Sequence, residues 1–247
     1  MARRRFFVEA VRGGRAEVSG DTAEHLRRVL RAEAGQRFEI SDNQSVYLAE
    51  IDGFKTNLVS FRVLEKVDAE APPVRLILLA ALIKFDRFEW IVEKATELGA
   101  ESIVPVETER SEKGLEKAAA KRVDRWRRIA LESSQQSRRA RLPEIAASVA
   151  FEHALKSAGQ QRYFLDEEQG AAALLNAVPR ADERSPADVV CLLVGPEGGW
   201  TEDERNAASA HGWTSVTLGA QILRADTAAI AALAVLNSAW LSRHHRG

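Results

Sequence analysis

Apolar and polar positions alternate in short runs through the first quarter of the chain, and then the rhythm changes. Arg5–Glu9, Glu17–Ser19, Arg37–Ser41, Ser45–Ile51 and Leu58–Val67 read as strands, broken by Asp42-Asn43 and Asp52-Gly53 turns. Asp21-Thr22-Ala23-Glu24 has the order of a capping box and predicts one helix to about Arg31, with Gly35 beyond it. Several short strands around one helix predict a small β-barrel over residues 1–70. Asp68–Pro73 has linker composition. From residue 74 to 247 the pattern is that of an α/β domain. Val74–Ile83 is a continuous apolar run, as expected of a strand buried on both faces. Phe88, Ile91, Val92, Ala95 and Leu98 form a helical stripe that Gly99 ends.

The alternation continues to the C-terminus. Ser102–Glu107, Arg162–Asp166, Val189–Val194 and Ser215–Leu218 read as strands. Leu115–Arg138, Phe151–Ala158, Ala171–Ala177 and Asp226–Leu241 read as helices, and Ala181–Asp188 as a polar loop. Strands alternating with helices predict a mostly parallel sheet. Two loops stand out within it. Gly195-Pro196-Glu197-Gly198-Gly199 follows one apolar run, and Gly219-Ala220-Gln221-Ile222-Leu223-Arg224 follows another. Both lie at carboxyl ends of predicted strands, where open α/β sheets place their ligand crevices. Glycines admit close backbone approach, and the N–H groups of a helix start bind ligands. Thr201 with Glu204 predicts a capping box behind the first loop. Ile222 and Leu223 offer an apolar wall for a purine. The expected occupant is a small nucleoside-like cofactor.

Composition narrows this picture only a little. The chain has 247 residues, with 35 Lys+Arg against 36 Asp+Glu, so net charge does not announce a nucleic acid. Distribution says more: Arg110–Arg141 holds eleven basic residues and four acidic ones. Such a segment suits either a phosphate-facing surface or a solvated helix face. Cys191 is the single cysteine and sits in an apolar run, which predicts a core residue and excludes an intrachain disulfide. The basic N-terminus lacks a following apolar segment, and no run reaches membrane-spanning length, so a cytosolic protein is expected. There is no Walker A, HExxH, GxSxG or early GxGxxG motif; Lys84-Phe85-Asp86 follows the first strand of the second half.

Candidate chemistry then falls on a few residues. Arg110 follows a strand end, in a position to bind phosphate or polarise a carbonyl. Arg138 and Arg139, with Ser134 and Gln136, end the basic helix and carry the groups that phosphate and base recognition uses. Arg224 stands beside the predicted pocket, where a salt bridge to Asp226 or Glu197 is an equal alternative. Arg3, Arg4, Arg5, Arg27, Arg28 and Arg31 form an N-terminal basic set. Phe6, Phe7 and Tyr47 read as barrel core rather than as platforms for bases.

These residues resemble a known family in order and nearly end to end. Arg5-Phe6-Phe7, His25, Val29-Leu30-Arg31 and Gly35 come first, then Lys84, Lys94–Gly99, Pro105 and Glu109-Arg110-Ser111. Trp126, Glu132, Gln136, Ser137, Arg138 and Pro143 follow, and Val194–Gly199, Leu218-Gly219, Ile222-Leu223-Arg224 and Thr227-Ala228 close the set. The chain resembles the small-subunit ribosomal RNA (uracil-N3)-methyltransferases of the SPOUT superfamily. The resemblance implies a PUA-like RNA-binding barrel joined to a SPOUT α/β domain with a trefoil knot. It implies S-adenosylmethionine (SAM) as methyl donor, 16S rRNA of the small ribosomal subunit as substrate, and a homodimer. Cofactor contacts then fall on Leu165, Val194–Gly199, Leu218, Gly219, Ile222, Leu223, Arg224, Thr227 and Ala228. Arg110, Arg138 and Arg224 become candidates to stabilise charge on the uracil oxygens, and Glu197 to take the N3 proton. Gln221 stands where the family usually has arginine, Asp226 where it has glutamate, and Phe85 where it has glycine. Two other readings use the same sequence: a non-enzymatic RNA-binding protein, and an α/β enzyme for another nucleotide.

Overall fold

The computed structural model describes residues 4–168 and 170–242, and Arg3 lies outside them. The chain divides into two compact units. The first holds Met1–Glu70 with Leu131–Leu142, and the second Ala71–Ala130 with Pro143–Gly247.

The first unit is a five-stranded sheet. Its strands are β1 (Arg5–Phe7), β2 (Arg15–Ser19), β3 (Arg37–Ser41), β4 (Val46–Lys55) and β5 (Leu58–Val67), in the order β1-β3-β4-β5-β2. Only β1 and β3 pair in parallel. Register shifts in the β4–β5 hairpin bend it, as bulges do. The result is a curled half-barrel rather than a closed barrel: the ladder runs from β1 to β2 without a β1–β2 pairing. Phe6, Leu26, Ile40, Ile51, Val59 and Phe61 fill its interior. The helix differs from expectation. It starts at α1 (Gly20–Glu24), capped by Ser19 without a side-chain bond, and continues as a π-helical turn His25–Val29. Arg31 follows in the left-handed region at φ +48°.

The second unit contains β6 (Arg75–Ala81), α2 (Phe85–Glu97), β7 (Ala100–Glu107), α3 (Leu115–Ala119) and α4 (Val123–Gln136), whose last residues belong to the first unit. Then come β8 (Glu144–Ile145), β9 (Val149–Ala150), α5 (Phe151–Ala154), β10 (Gln161–Leu165), β11 (Ala172–Ala173) and α6 (Leu174–Ala177). β12 (Val189–Val194), α7 (Glu202–Ala210), β13 (Thr214–Thr217) and α8 (Ala225–Leu241) complete it. The strand order is β11-β13-β10-β12-β6-β7-β8, with β9 beside β7, and every pair is parallel. Side chains of successive strand residues point to opposite faces. Leu76, Leu78, Val190, Leu192, Tyr163 and Leu165 therefore pack with α2, α4 and α8. Leu79, Cys191, Leu193 and Phe164 pack on the other side with Phe151, Trp200 and Trp213. Cys191 is the core residue expected, and burial pushes its thiol up to about 11.

The single basic helix expected over Leu115–Arg138 is two. It breaks after Ala119, where Lys121 N–H and Arg122 N–H bond back only three residues, and restarts at Val123. The restarted helix buries Trp126 completely, its ring 4.6 Å from Phe88. No helix among the described residues is long and apolar enough to cross a membrane.

Candidate active site

Three neighbouring strands bring the site together. β10 lies between β12 and β13, and their register sets Leu165 opposite Val194 on one side and Val216 on the other. Parallel strands place their carboxyl ends on one edge, and adjacent strands lie about 4.8 Å apart. The loops that leave β10, β12 and β13 thus start side by side. They frame a cavity of about 390 Å³, within the range of small-molecule sites. All of its lining residues belong to the second unit.

Most of the residues expected at a cofactor line it: Leu165, Val194, Gly195, Pro196, Glu197, Gly199, Leu218, Ile222, Leu223, Arg224 and Ala228. Gly198 and Gly219 belong to the same loops and Thr227 to the first turn of α8, but none of the three lines the cavity: Gly198 faces Arg110, Gly219 N–H donates to the Thr217 hydroxyl, and Thr227 N–H donates to Asp226. The walls also include Asp166 and Glu167 of the loop after β10, which the family resemblance implies as a third cofactor loop, Gln221 of the second glycine loop, and Arg87, Trp200, Thr217 and Ala225, which the sequence had not singled out as lining. Arg87 comes from the first turns of α2, and only the folded sheet brings it near the loop after β12.

Close packing explains two glycines. A Cβ on Gly195 would lie 2.8 Å from Trp200 Cε2. One on Gly199 would lie 2.7 Å from Glu167 Oε1, and its φ of +69° already disfavours a side chain. Behind the loop the capping box is present, with Glu204 N–H donating to Thr201 Oγ1 and Thr201 N–H to Glu204. The other Glu204 oxygen accepts from Glu109 N–H at 3.0 Å, which ties in the loop after β7.

The charged groups are mostly paired. Arg224 is the N-cap of α8, and its guanidinium grips Asp226, with Nε 3.1 Å from Oδ1. Burial raises the Asp226 carboxyl, but the bonds from Arg224 and Thr227 N–H outweigh it and leave the group below its ordinary value. The Arg224 side chain is 60% exposed at the cavity. Glu197 forms an ion pair with Arg87. Arg110 Nη1 donates to Gly198 O at 2.9 Å and to Trp200 O at 3.1 Å, so it braces the glycine loop from outside.

Arg138 belongs to the first unit. There it adopts the left-handed φ of +58° and donates to Glu39 at 2.8 Å. Arg5, expected at an RNA surface, is instead 7% exposed. Its Nη2 donates to Glu39 at 2.8 Å and its Nη1 to the Arg138 carbonyl, so its charge is used internally. Burial raises Glu39, yet the bonds from Arg138 and Arg5 hold it below its ordinary value. The rest of the basic set is more open. Arg4 approaches His25 at 3.4 Å, Arg28 pairs with Glu24, and Arg27 donates to the Lys55 and Thr56 carbonyls. Arg31 follows the π-helical turn, Gln136 ends α4, and Arg139 Nε donates to the Arg141 carbonyl.

Comparison with known proteins agrees with this architecture. The RNA methyltransferase domain family matches residues 70–237, and the RNA methyltransferase PUA domain family residues 18–61. A ribosomal RNA small subunit methyltransferase E of Synechocystis is 36% identical over 218 residues, covering 87% of this chain and 70% of its own length. That of Bacillus subtilis is 28% identical over 94% of this chain and 95% of its own. The crystal structure of a ribosomal RNA small subunit methyltransferase E from Neisseria gonorrhoeae, bound to S-adenosyl methionine, superimposes with a TM-score of 0.86. It is 26% identical, and the match covers 97% of this chain and 98% of that one. On a domain match over more than half of its residues and a relative 36% identical, the chain belongs to the RNA methyltransferase family that includes ribosomal RNA small subunit methyltransferase E.

Proposed function

We propose that the chain is a SAM-dependent methyltransferase that modifies N3 of one uridine in the 16S rRNA of the small ribosomal subunit. The observation that carries this reading is the cavity framed by the loops after β10, β12 and β13. Its residues suit such a cofactor. Leu218, Ile222, Leu223 and Ala228 supply apolar walls for a purine, while Glu167 supplies a carboxylate toward a cationic ligand and Glu197, paired with Arg87, stands at the same wall. When bound, SAM supplies an electrophilic methyl group.

The chain's own residues have to orient the base and manage one proton. N3 lies on the Watson–Crick edge, so the uridine reaches the cavity unpaired or extruded. Arg224, held at the cavity by Asp226, stabilises charge that develops on O2 or O4. Glu197, at the same wall, is the proposed acceptor of the N3 proton. Arg110 acts through the loop it braces. Arg4, Arg27, Arg28, Arg31, Gln136, Arg138 and Arg139 are proposed to contact RNA from the first unit. The proposal extends to the trefoil knot of the second unit, to a homodimer and to a cytoplasmic location.

The test is methyl transfer from labelled SAM to small ribosomal subunits that lack the modification, followed by nucleoside analysis. The expected product is 3-methyluridine at one position. Label on another atom, or none, overturns the reading.

A further inference from the structure

Two arginines from separate elements converge on one carbonyl beside the cavity. Arg110 Nη1 and Arg205 Nη1 each donate to Trp200 O at 3.1 Å. Arg205, on α7, also grips Asp166 with two bonds, Nε to Oδ2 at 2.8 Å and Nη2 to Oδ1 at 3.1 Å. Glu168 stands 3.3 Å from the same guanidinium. Asp166 follows directly on β10 and is 6% exposed. The Trp200 indole donates in turn to Leu165 O at 2.8 Å, and its ring stacks on Phe164 with centroids 4.5 Å apart. The loop after β10 and the loop after β12 are therefore joined twice, once through the Trp200 indole and once through Arg205. Asp166 and Trp200 line the cavity, and Arg205 stands behind them. A bidentate guanidinium fixes the relative placement of two groups in a way that an ammonium cannot.

We propose that Arg205 is a positioning residue for methyl transfer, setting the spacing between the two loops that hold the cofactor. This rests on the reading that the cavity takes SAM. Arg205→Lys keeps the charge beside Asp166 but loses the fork and the bond to Trp200. It should raise the Kd and KM for SAM about tenfold, while kcat at saturating SAM stays within about twofold of the parent. Glu202→Gln, which alters an exposed carboxylate 4.0 Å from Arg205, should change neither. A merely structural role would lower the melting temperature and the active fraction but leave KM unchanged. If Arg205→Lys does not fold, Arg205→Gln, which keeps a donor toward the Trp200 carbonyl but loses the fork, is read in the same way, with the same expected rise. A parent protein that binds SAM beside a folded variant with unchanged Kd and KM overturns the positioning role alone. A parent protein that gives no heat with SAM overturns the cofactor reading, and this role with it.

Discussion

Gly195→Ala is the sharpest perturbation of the site, because the structure says what one methyl group would meet. The new Cβ would lie 2.8 Å from Trp200 Cε2, 3.0 Å from Nε1 and 3.2 Å from Cδ2. Favourable carbon contacts begin near 3.5 Å. The indole has no room to yield: Trp200 is 2% exposed, stacked on Phe164 and bonded to Leu165 O. Overpacking of this kind costs roughly 1–3 kcal/mol. In a unit of this size each kcal/mol moves the melting temperature by about 2–4 °C, so the expected fall is roughly 2–12 °C. Any relief must come from the glycine loop moving away from Trp200, which spoils the cavity wall. Calorimetric titration should then show SAM affinity reduced at least tenfold, about 1.4 kcal/mol. Gly53→Ala is the control, since its Cβ would meet nothing closer than Ser60 Oγ at 3.8 Å, an ordinary contact, and it should leave SAM affinity unchanged. Parental melting and parental SAM affinity in Gly195→Ala would refute the packing account.

Two further outcomes concern the first unit. Glu39 is held below its ordinary value of 4.5, so its contribution is complete above about pH 4.5 and is lost as the pH falls through the lowered value. Glu39→Ala strands the buried Arg5 and should cost roughly 3–5 kcal/mol at neutral pH. Denaturant titrations across pH 2–7 should show a flatter acid limb in the variant, and an identical limb would contradict the assignment. Replacing both Arg27 and Arg28 by Ala should lower the salt dependence of RNA binding, with log K losing about 0.7–0.9 of slope per contact removed. An unchanged slope would remove both residues from the interface.

Much of this fold was legible because it is written locally. The Gly99 stop and the Thr201–Glu204 capping box depend on residues close in sequence, and each appears where expected; the period-2 runs are strands too, although β4 continues through the expected Asp52-Gly53 turn as a bulge and ends at Lys55. Local signals also misled in two places. Asp21–Glu24 has capping-box order, yet Ser19 caps that helix without a side-chain bond. Leu115–Arg138 has helical propensity throughout, yet the chain turns after Ala119 and buries Trp126, because packing overrides weak propensity. The site was legible as loops but not as a network. Nothing near Arg87 in sequence points to Glu197, and nothing near Arg205 points to Asp166; strand register creates both pairs. The burial of Arg5 is of the same kind, since its partners Glu39 and Arg138 stand 34 and 133 residues away.

If three adjacent strand ends build the methyl-donor site, SAM must bind between the loops that leave them. The most direct measurement is a crystal structure of the chain grown with SAM. The account predicts density for one SAM per chain between Leu165–Glu167, Val194–Gly199 and Leu218–Arg224. Density for SAM elsewhere on the chain, with this cavity closed, would contradict it.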